Sequence, residues 1–259
     1  MPIKTDYTDV TELSGDDVTQ EQIDRICQRY YWAGHYCRGK NVVEVACGSG
    51  QGLGYLNSLA KSFEGGDYSD KMIEIAKAHY GGGISLSQFD AQNMPFEILS
   101  KDVIILFEAL YYLPDPVKFV SECFRVLRSR GTALICTANK DLYDFNPSPY
   151  SYSYYGTVEL TNLFEAQGFK VRLFGGTPIS NVTLQQKLLR LIKKAAVNLG
   201  IIPRSMASKK LIKRLVFGKM VKMPAEIEEN TSSYNSPAPI TNEHPDTLYK
   251  VIFCEATKI

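Results

Sequence analysis

Three carboxylates, Glu44, Asp67 and Asp90, each stand at or near the end of a short strand-like run, and the first leads into alternate glycines at Gly48, Gly50, Gly52 and Gly54. Glycines let the backbone pass close to a ligand, and a helix starting just after them, over 53–60, would turn its free N–H groups and positive dipole end toward it. In a parallel α/β sheet ligands bind outside the carboxyl ends of the strands, so the three acids would meet in one crevice. There Asp67 can take both hydroxyls of a ribose and Asp90 can accept from an exocyclic amine. One acid at a strand end is ordinarily a cap or a turn former; three behind a glycine loop point to a cradle for a nucleoside-bearing cofactor. A dinucleotide fingerprint is disfavoured by spacing, because its third glycine would fall on Leu53 or Tyr55.

The runs EVACGSG (44–50), GGDYSDKMIEIAKAHY (65–80), DAQNMPF (90–96) and ECFRVLRSRGTALI (122–135) resemble the class I S-adenosylmethionine-dependent methyltransferases over about residues 25–175. The resemblance implies S-adenosylmethionine as cofactor, with the glycine loop against its methionine part, Asp67 on the ribose, and Asp90 with the Ala91 backbone on the adenine. The expected cofactor set is Glu44, Ala46, Gly48, Ser49, Gly50, Asp67, Tyr68, Asp90, Ala91, Gln92 and Phe107. One departure is Arg128-Ser129-Arg130-Gly131, where the family usually has a proline before a glycine pair. It falls on a surface turn.

The elements that must position these residues follow from hydrophobic period. An amphipathic helix over 19–36 carries Ile23, Ile26, Cys27, Tyr30 and Tyr31 and caps the crevice. Strands at 41–46, 63–67, 84–90, 102–107 and 132–137 alternate with helices at 53–60, 70–80 and 116–127. A helix at 157–167 closing on Gly168, a strand at 169–174 and a last strand at 249–256 complete the pattern. The fold expected is α/β, doubly wound, with a mostly parallel seven-stranded sheet of the Rossmann-like methyltransferase kind and a helical insertion before the last strand. One domain is expected over 1–259, comprising an N-terminal helical cap (1–40), a cofactor-binding core (41–177), a basic helical insertion and loop (178–247) and the last strand (248–259).

Methyl transfer is an in-line displacement in which positioning and exclusion of water matter most; a base is needed when the acceptor is a hydroxyl. Glu108, just past the fourth strand in LFEALYYLPDP, is the leading candidate, with His35 and His244 as the other titratable groups considered. Each also has a plain structural reading, as a cap, a packing histidine and a turn residue. Tyr111 and Tyr112 flank Glu108. Tyr150, Tyr152 and Tyr154 lie in the aromatic loop 141–155, whose flat faces suit a sugar ring or an aromatic acceptor, particularly if alternate Tyr and Ser put the rings on one side of an extended segment.

The chain has 259 residues, 44% of them hydrophobic, and a net charge of +1. The six cysteines are scattered without metal-ligand spacing, so they read as reduced buried thiols, and no metal is expected. No signal-peptide pattern or long apolar run appears, so the reading is a cytoplasmic protein. Charge is uneven: residues 166–225 contain no Asp or Glu but 13 of the 29 Lys and Arg. Two amphipathic stretches there, 184–199 and 208–220, carry the cations outward. A solvated face explains this as well as contact of 187–222 with an anionic membrane or a phosphate-bearing acceptor, while nucleic acid is not expected. Function is read as methyl transfer from S-adenosylmethionine to O or N of a small biosynthetic intermediate, a sugar or glycolipid preferred. The rivals are a catalytically silent cofactor-binding protein and a nucleotide-dependent oxidoreductase; oligomeric state is left open.

Overall fold

The computed structural model describes residues 11–148, 150–179 and 220–259. In chain order these form β1 (Asp17–Val18), α1 (Gln20–Cys37), β2 (Asn41–Val45), α2 (Leu53–Leu59), β3 (Ser62–Asp67), α3 (Asp70–Tyr80), β4 (Ser85–Gln88) and β5 (Lys101–Phe107). A short 3-10 turn (Leu110–Tyr112) leads to α4 (Pro116–Val126), β6 (Leu127–Ala138), α5 (Thr157–Glu165), β7 (Phe169–Pro178), β8 (Val221–Lys222), β9 (Ala238–Ile240) and β10 (Tyr249–Lys258).

One sheet of eight strands runs in the order β4-β3-β2-β5-β6-β10-β7-β9. The pairings from β4 to β6 are parallel, and β10 enters antiparallel between β6 and β7. Alternation of side chains along the strands gives two apolar faces. Val42 and Ile105 pack with α1, α2 and α3 on one side, while Val43 and Ile104 pack with α4 and α5 on the other. The helices begin where the sequence provides caps: Thr19 forms a capping box with Gln22, Ser69 accepts from the Met72 N–H, and Asp115 accepts from the Lys118 N–H ahead of Pro116.

The eighth strand corrects the expected count of seven. β9 adds to the outer edge of β7 through Leu173–Ile240 pairing, inside a proline-rich stretch read as irregular. Proline lacks an N–H but is tolerated on an edge strand, so Pro239 hides the strand from pattern reading without preventing it. A second small sheet, β1 with β8, also went unread; it ties residues 221–222 back to the segment before α1. The helices expected at 184–199 and 208–220 lie outside the described residues, Met220 apart. Of the basic residues expected in 187–222, Lys222 is described, and its ammonium sits 2.8 Å from Asp17.

Helix α1 lies along β10 on the sheet face. Lys250 pairs with Glu21 at 2.5 Å, Trp32 meets Phe253 edge-on at 5.2 Å, and the Tyr36 hydroxyl donates to Glu255 at 2.7 Å. Its other flank faces β2 and β5, where Tyr30 packs edge-on against Phe107. The first turns of α1 thereby overhang the carboxyl edge of the sheet.

Candidate active site

At that edge lies a cavity of about 540 Å³ bounded by the ends of β2 to β6, the start of β10, α1 and residues 11–12. This is the size of site that encloses a small ligand. Glu44, Asp67 and Asp90 all line it, as expected.

The chain leaves β2 through Ala46, which has φ 54°, a left-handed conformation costly for a residue with a Cβ; Gly48 and Gly50 then take φ 57° and 91° without that cost. This curl aims the Gly48 N–H at Asp67 Oδ2, 2.8 Å away, while Oδ1 accepts from the Ser69 N–H at 2.8 Å. Each carboxylate oxygen keeps capacity for a second donor. Burial raises the Asp67 carboxyl from its usual range, and the N–H groups of Ser69, Gly48 and Tyr68 work against that rise.

Glu44 is fully buried. Its Oε1 accepts from the Tyr30 hydroxyl at 2.8 Å, and Oε2 has no partner. Desolvation is the main reason its carboxyl is pushed up to about 8; Tyr30 opposes the rise and the charge of Asp67 adds to it. Tyr30 also seals the loop: a Cβ on Gly52 would stand 2.2 Å from its ring, so that glycine is required by close packing.

On the far side, Asp90 Oδ1 accepts from the Gln92 N–H at 2.8 Å, and Gln92 Oε1 accepts from the Asp115 N–H at 2.7 Å. Ala91, Tyr68, Phe89 and Met72 supply apolar walls. Ala46, Gly48, Gln92 and Phe107 also face the cavity. Ser49 and Gly50 do not: the Ser49 hydroxyl is buried without a partner, and the Gly50 carbonyl accepts from the Tyr80 hydroxyl at 2.7 Å. They shape the loop from behind.

Glu108 follows β5 directly, with φ 52°, and lines the cavity mouth. Both oxygens are engaged, Oε1 by Arg29 at 2.9 Å and Oε2 by the Tyr111 hydroxyl at 3.0 Å. Burial is the largest single influence and works against the Arg29 charge, but Glu108 together with Cys136, Tyr111 and Tyr30 outweighs it and the guanidinium is held above its ordinary range. Tyr111 is raised well above the usual phenol range, first by burial and then by Glu108, so it remains a donor.

Two candidate bases are misplaced. His35 is exposed on the outer side of α1, in a separate hollow with Trp32, Tyr36, Phe174 and Tyr234. His244 is also exposed, and only its backbone carbonyl is held, by the Thr157 hydroxyl at 2.7 Å. Helical phase explains the first: position 35 lies on the solvent side when Tyr30, Tyr31 and Trp32 face inward.

The aromatic loop divides similarly. Tyr111, Tyr112 and Tyr152 line the cavity. Tyr154 stacks behind Tyr111 with centroids 4.3 Å apart, and its hydroxyl accepts from the Ser148 N–H. Tyr150 is exposed and outside the cavity lining. The segment is not extended: Ser151 N–H bonds the Ser148 carbonyl, and the Tyr152 N–H bonds the Tyr111 carbonyl, so the rings separate.

Sequence reading placed α1 over the crevice but missed the polar side chains with which it lines the roof. Gln22, Arg25, Ile26 and Arg29 line the cavity from α1, joined by Thr11, Glu12 and Lys250. The helical spacing of 22, 25 and 29 was a usable signal for the first group, since a polar stripe beside an apolar one marks a helix facing a cleft. Lys250 had no such signal, because only sheet order brings β10 beside β6.

This glycine turn cupped by Asp67, with Asp90 just past the adjacent strand, is the cradle that the resemblance implies. The family model described as "Methyltransferase domain" matches residues 43–135. Over that stretch the chain carries a methyltransferase domain of the S-adenosylmethionine-dependent kind. The domain is 32% identical over 146 residues to a protein of Mycolicibacterium smegmatis named "Probable S-adenosylmethionine-dependent methyltransferase", covering 55% of this chain and 56% of that one. It is 30% identical over 130 residues to a ubiquinone biosynthesis O-methyltransferase of Nitrosomonas europaea, covering 48% and 52%. The matched stretch thus spans about half the length of these curated relatives. Among solved structures, a SAM-dependent methyltransferase of Thermotoga maritima superposes with a TM-score of 0.56 at 15% identity, covering 92% of both chains, a likeness of fold.

The methyltransferase domain's residues fit the cofactor. Asp67 has unused acceptor capacity beside a glycine turn, Glu44 Oε2 is a buried orphan, and the Asp90–Gln92 run edges a cleft large enough for a nucleoside with an amino-acid tail. Among the described residues no cluster of His, Cys, Asp or Glu could hold a metal, and no helix is long and apolar enough to cross a membrane.

Proposed function

We propose that the protein transfers a methyl group from S-adenosylmethionine to an oxygen or nitrogen of a small-molecule biosynthetic intermediate. The observation that carries this is the joining, in one cavity, of the Asp67–Gly48 cup and the Asp90–Gln92 run with a walled space beyond them under α1. When bound, S-adenosylmethionine supplies an electrophilic methyl carbon on a positively charged sulfur. Asp67 would hold the ribose, Asp90 and the Ala91 backbone the adenine, and the glycine loop the methionine part.

The acceptor space then falls between Glu108, Tyr111, Tyr112, Tyr152 and the roof of α1. The tyrosine faces suit a flat or ring-shaped acceptor, a sugar or an aromatic hydroxyl. An acceptor hydroxyl would have to give up its proton on taking the methyl group, so a base is needed at this end of the cavity. Glu108 is the carboxylate placed to take the proton, provided the acceptor displaces the Tyr111 hydroxyl from Oε2. Residues 11–12 and α1 wall this space on one side, which would limit the water competing with the acceptor.

The capture of both Glu108 oxygens favours a second reading, in which the cofactor is held without turnover. Incubation with methyl-labelled S-adenosylmethionine and fractionated small-molecule extract separates the two. Label in a new small molecule, with equimolar S-adenosylhomocysteine, is the expected result; tight binding of S-adenosylhomocysteine with no labelled product from any fraction would favour the silent reading.

A further inference from the structure

The cavity roof holds a cation whose donors are not used. Arg29 is matched by Glu108, and the Lys250 ammonium by Glu21 at 2.5 Å. Arg25, one helical turn above Arg29, lines the cavity, but its Nε is buried without a partner and no hydrogen bond or ion pair engages its guanidinium among the described residues. Arg25 is half-buried, with its Nε sealed from water, and an anion received between its donors would give that N–H the partner it lacks.

Its place in the fold indicates which ligand is involved. Arg29 stands over the end of β5, and one turn of helix carries Arg25 about 6 Å farther out along α1. Lys250 opens β10, and Ala138 closes β6 between them; both line the cavity. Glu21 pairs with Lys250 at 2.5 Å and stands one helical turn before Arg25 on the same side of α1, so the two cations flank one point. That point lies over β5, β6 and β10. Gly48, Asp67 and Asp90 lie at the ends of β2, β3 and β4, on the other side of β5.

We propose that the acceptor carries an anionic group, a carboxylate or a phosphate, and that Arg25 receives it with Lys250 beside it. This rests on the methyl-transfer reading. It narrows the acceptor to molecules with a ring for the tyrosines and a negative charge on the side toward β10. Lys250 turns from Glu21 to the ligand in doing so, and Arg25 supplies the planar pair of donors that matches either anion.

The test uses protein saturated with S-adenosylhomocysteine and titrated with phenyl phosphate, benzoate or phenol. At least one anion binds the wild type, phenol binds at least about tenfold more weakly, and Arg25→Gln weakens the anion by about tenfold or more. Lys250→Gln gives a smaller loss, and neither variant alters affinity for S-adenosylhomocysteine by more than about twofold. Phenol binding as well as the anions, no anion binding to the wild type, or an Arg25→Gln variant that retains anion affinity overturns the proposal. Loss of S-adenosylhomocysteine affinity in Arg25→Gln also overturns it, by assigning the guanidinium to the cofactor's carboxylate. Failure of the wild type to bind S-adenosylhomocysteine removes the methyl-transfer reading itself, and is seen before any anion is added.

Discussion

The half of the cavity we propose for the cofactor draws Glu44, Gly48, Asp67, Asp90 and Gln92 from the single stretch 44–92, whereas the half we propose for the acceptor brings together Thr11, Arg25, Glu108, Ala138, Tyr152 and Lys250 from separated parts of the chain. The first half is made of backbone turns at consecutive strand ends, so its geometry is local. The second is made of side chains brought together by the lie of α1 along β10 and by the insertion of β10 beside β6. A ligand shared by many proteins can be bound by the local half, while the acceptor is chosen by the part that only the assembled chain possesses.

Substitutions on the two sides test that division. Asp67→Ala has the largest expected effect on binding, weakening S-adenosylhomocysteine by about 1–3 kcal/mol through loss of charge-assisted hydrogen bonds, read by calorimetric titration. It also frees the Gly48 N–H; unchanged affinity in a folded variant would break the assignment of the local half. Glu44 acts on stability rather than on binding. Its folded pKa of about 8 lies above the ordinary 4.5, so between those values the folded chain retains a proton that the unfolded chain has released. Stability from this group is therefore full at low pH and declines as pH rises through 8. Glu44→Gln should flatten the profile, gaining on wild type progressively from about pH 5 and by several kcal/mol near pH 8, measured from urea midpoints. A parallel profile in the variant would mean Glu44 ionises freely in the fold. The smallest effect belongs to His35→Ala and His244→Ala, which should leave turnover within about twofold because both side chains point away from the cavity. A large fall in kcat for either would place the acceptor half elsewhere.

Legibility in the sequence followed the same line. Strand β2, the glycine turn and the acids of β3 and β4 are readable because each depends on a few neighbouring residues: β-branched runs, left-handed turns that suit glycine, and caps. Ala46 is an exception, a left-handed position held by a non-glycine residue that periodicity does not reveal. The tyrosines were legible as aromatic but not as a set, because the turn at Ser148–Ser151 decides which ring faces the cavity. Edge strand β9 was hidden by the prolines that an edge tolerates.

Local chemistry therefore determined the order of strands and helices, the nucleoside cradle and Glu108 at the cavity mouth, since short-range backbone preference and apolar period are written along the chain. Only the tertiary structure decided that Arg29 and Tyr111 occupy both Glu108 oxygens, that His35 and His244 stand outside, and that Arg25 and Lys250 share a roof. Those contacts depend on the phase of α1 against the sheet and on where β10 enters it. Both are settled by packing between residues more than 200 positions apart, such as Glu21 with Lys250 and Tyr36 with Glu255.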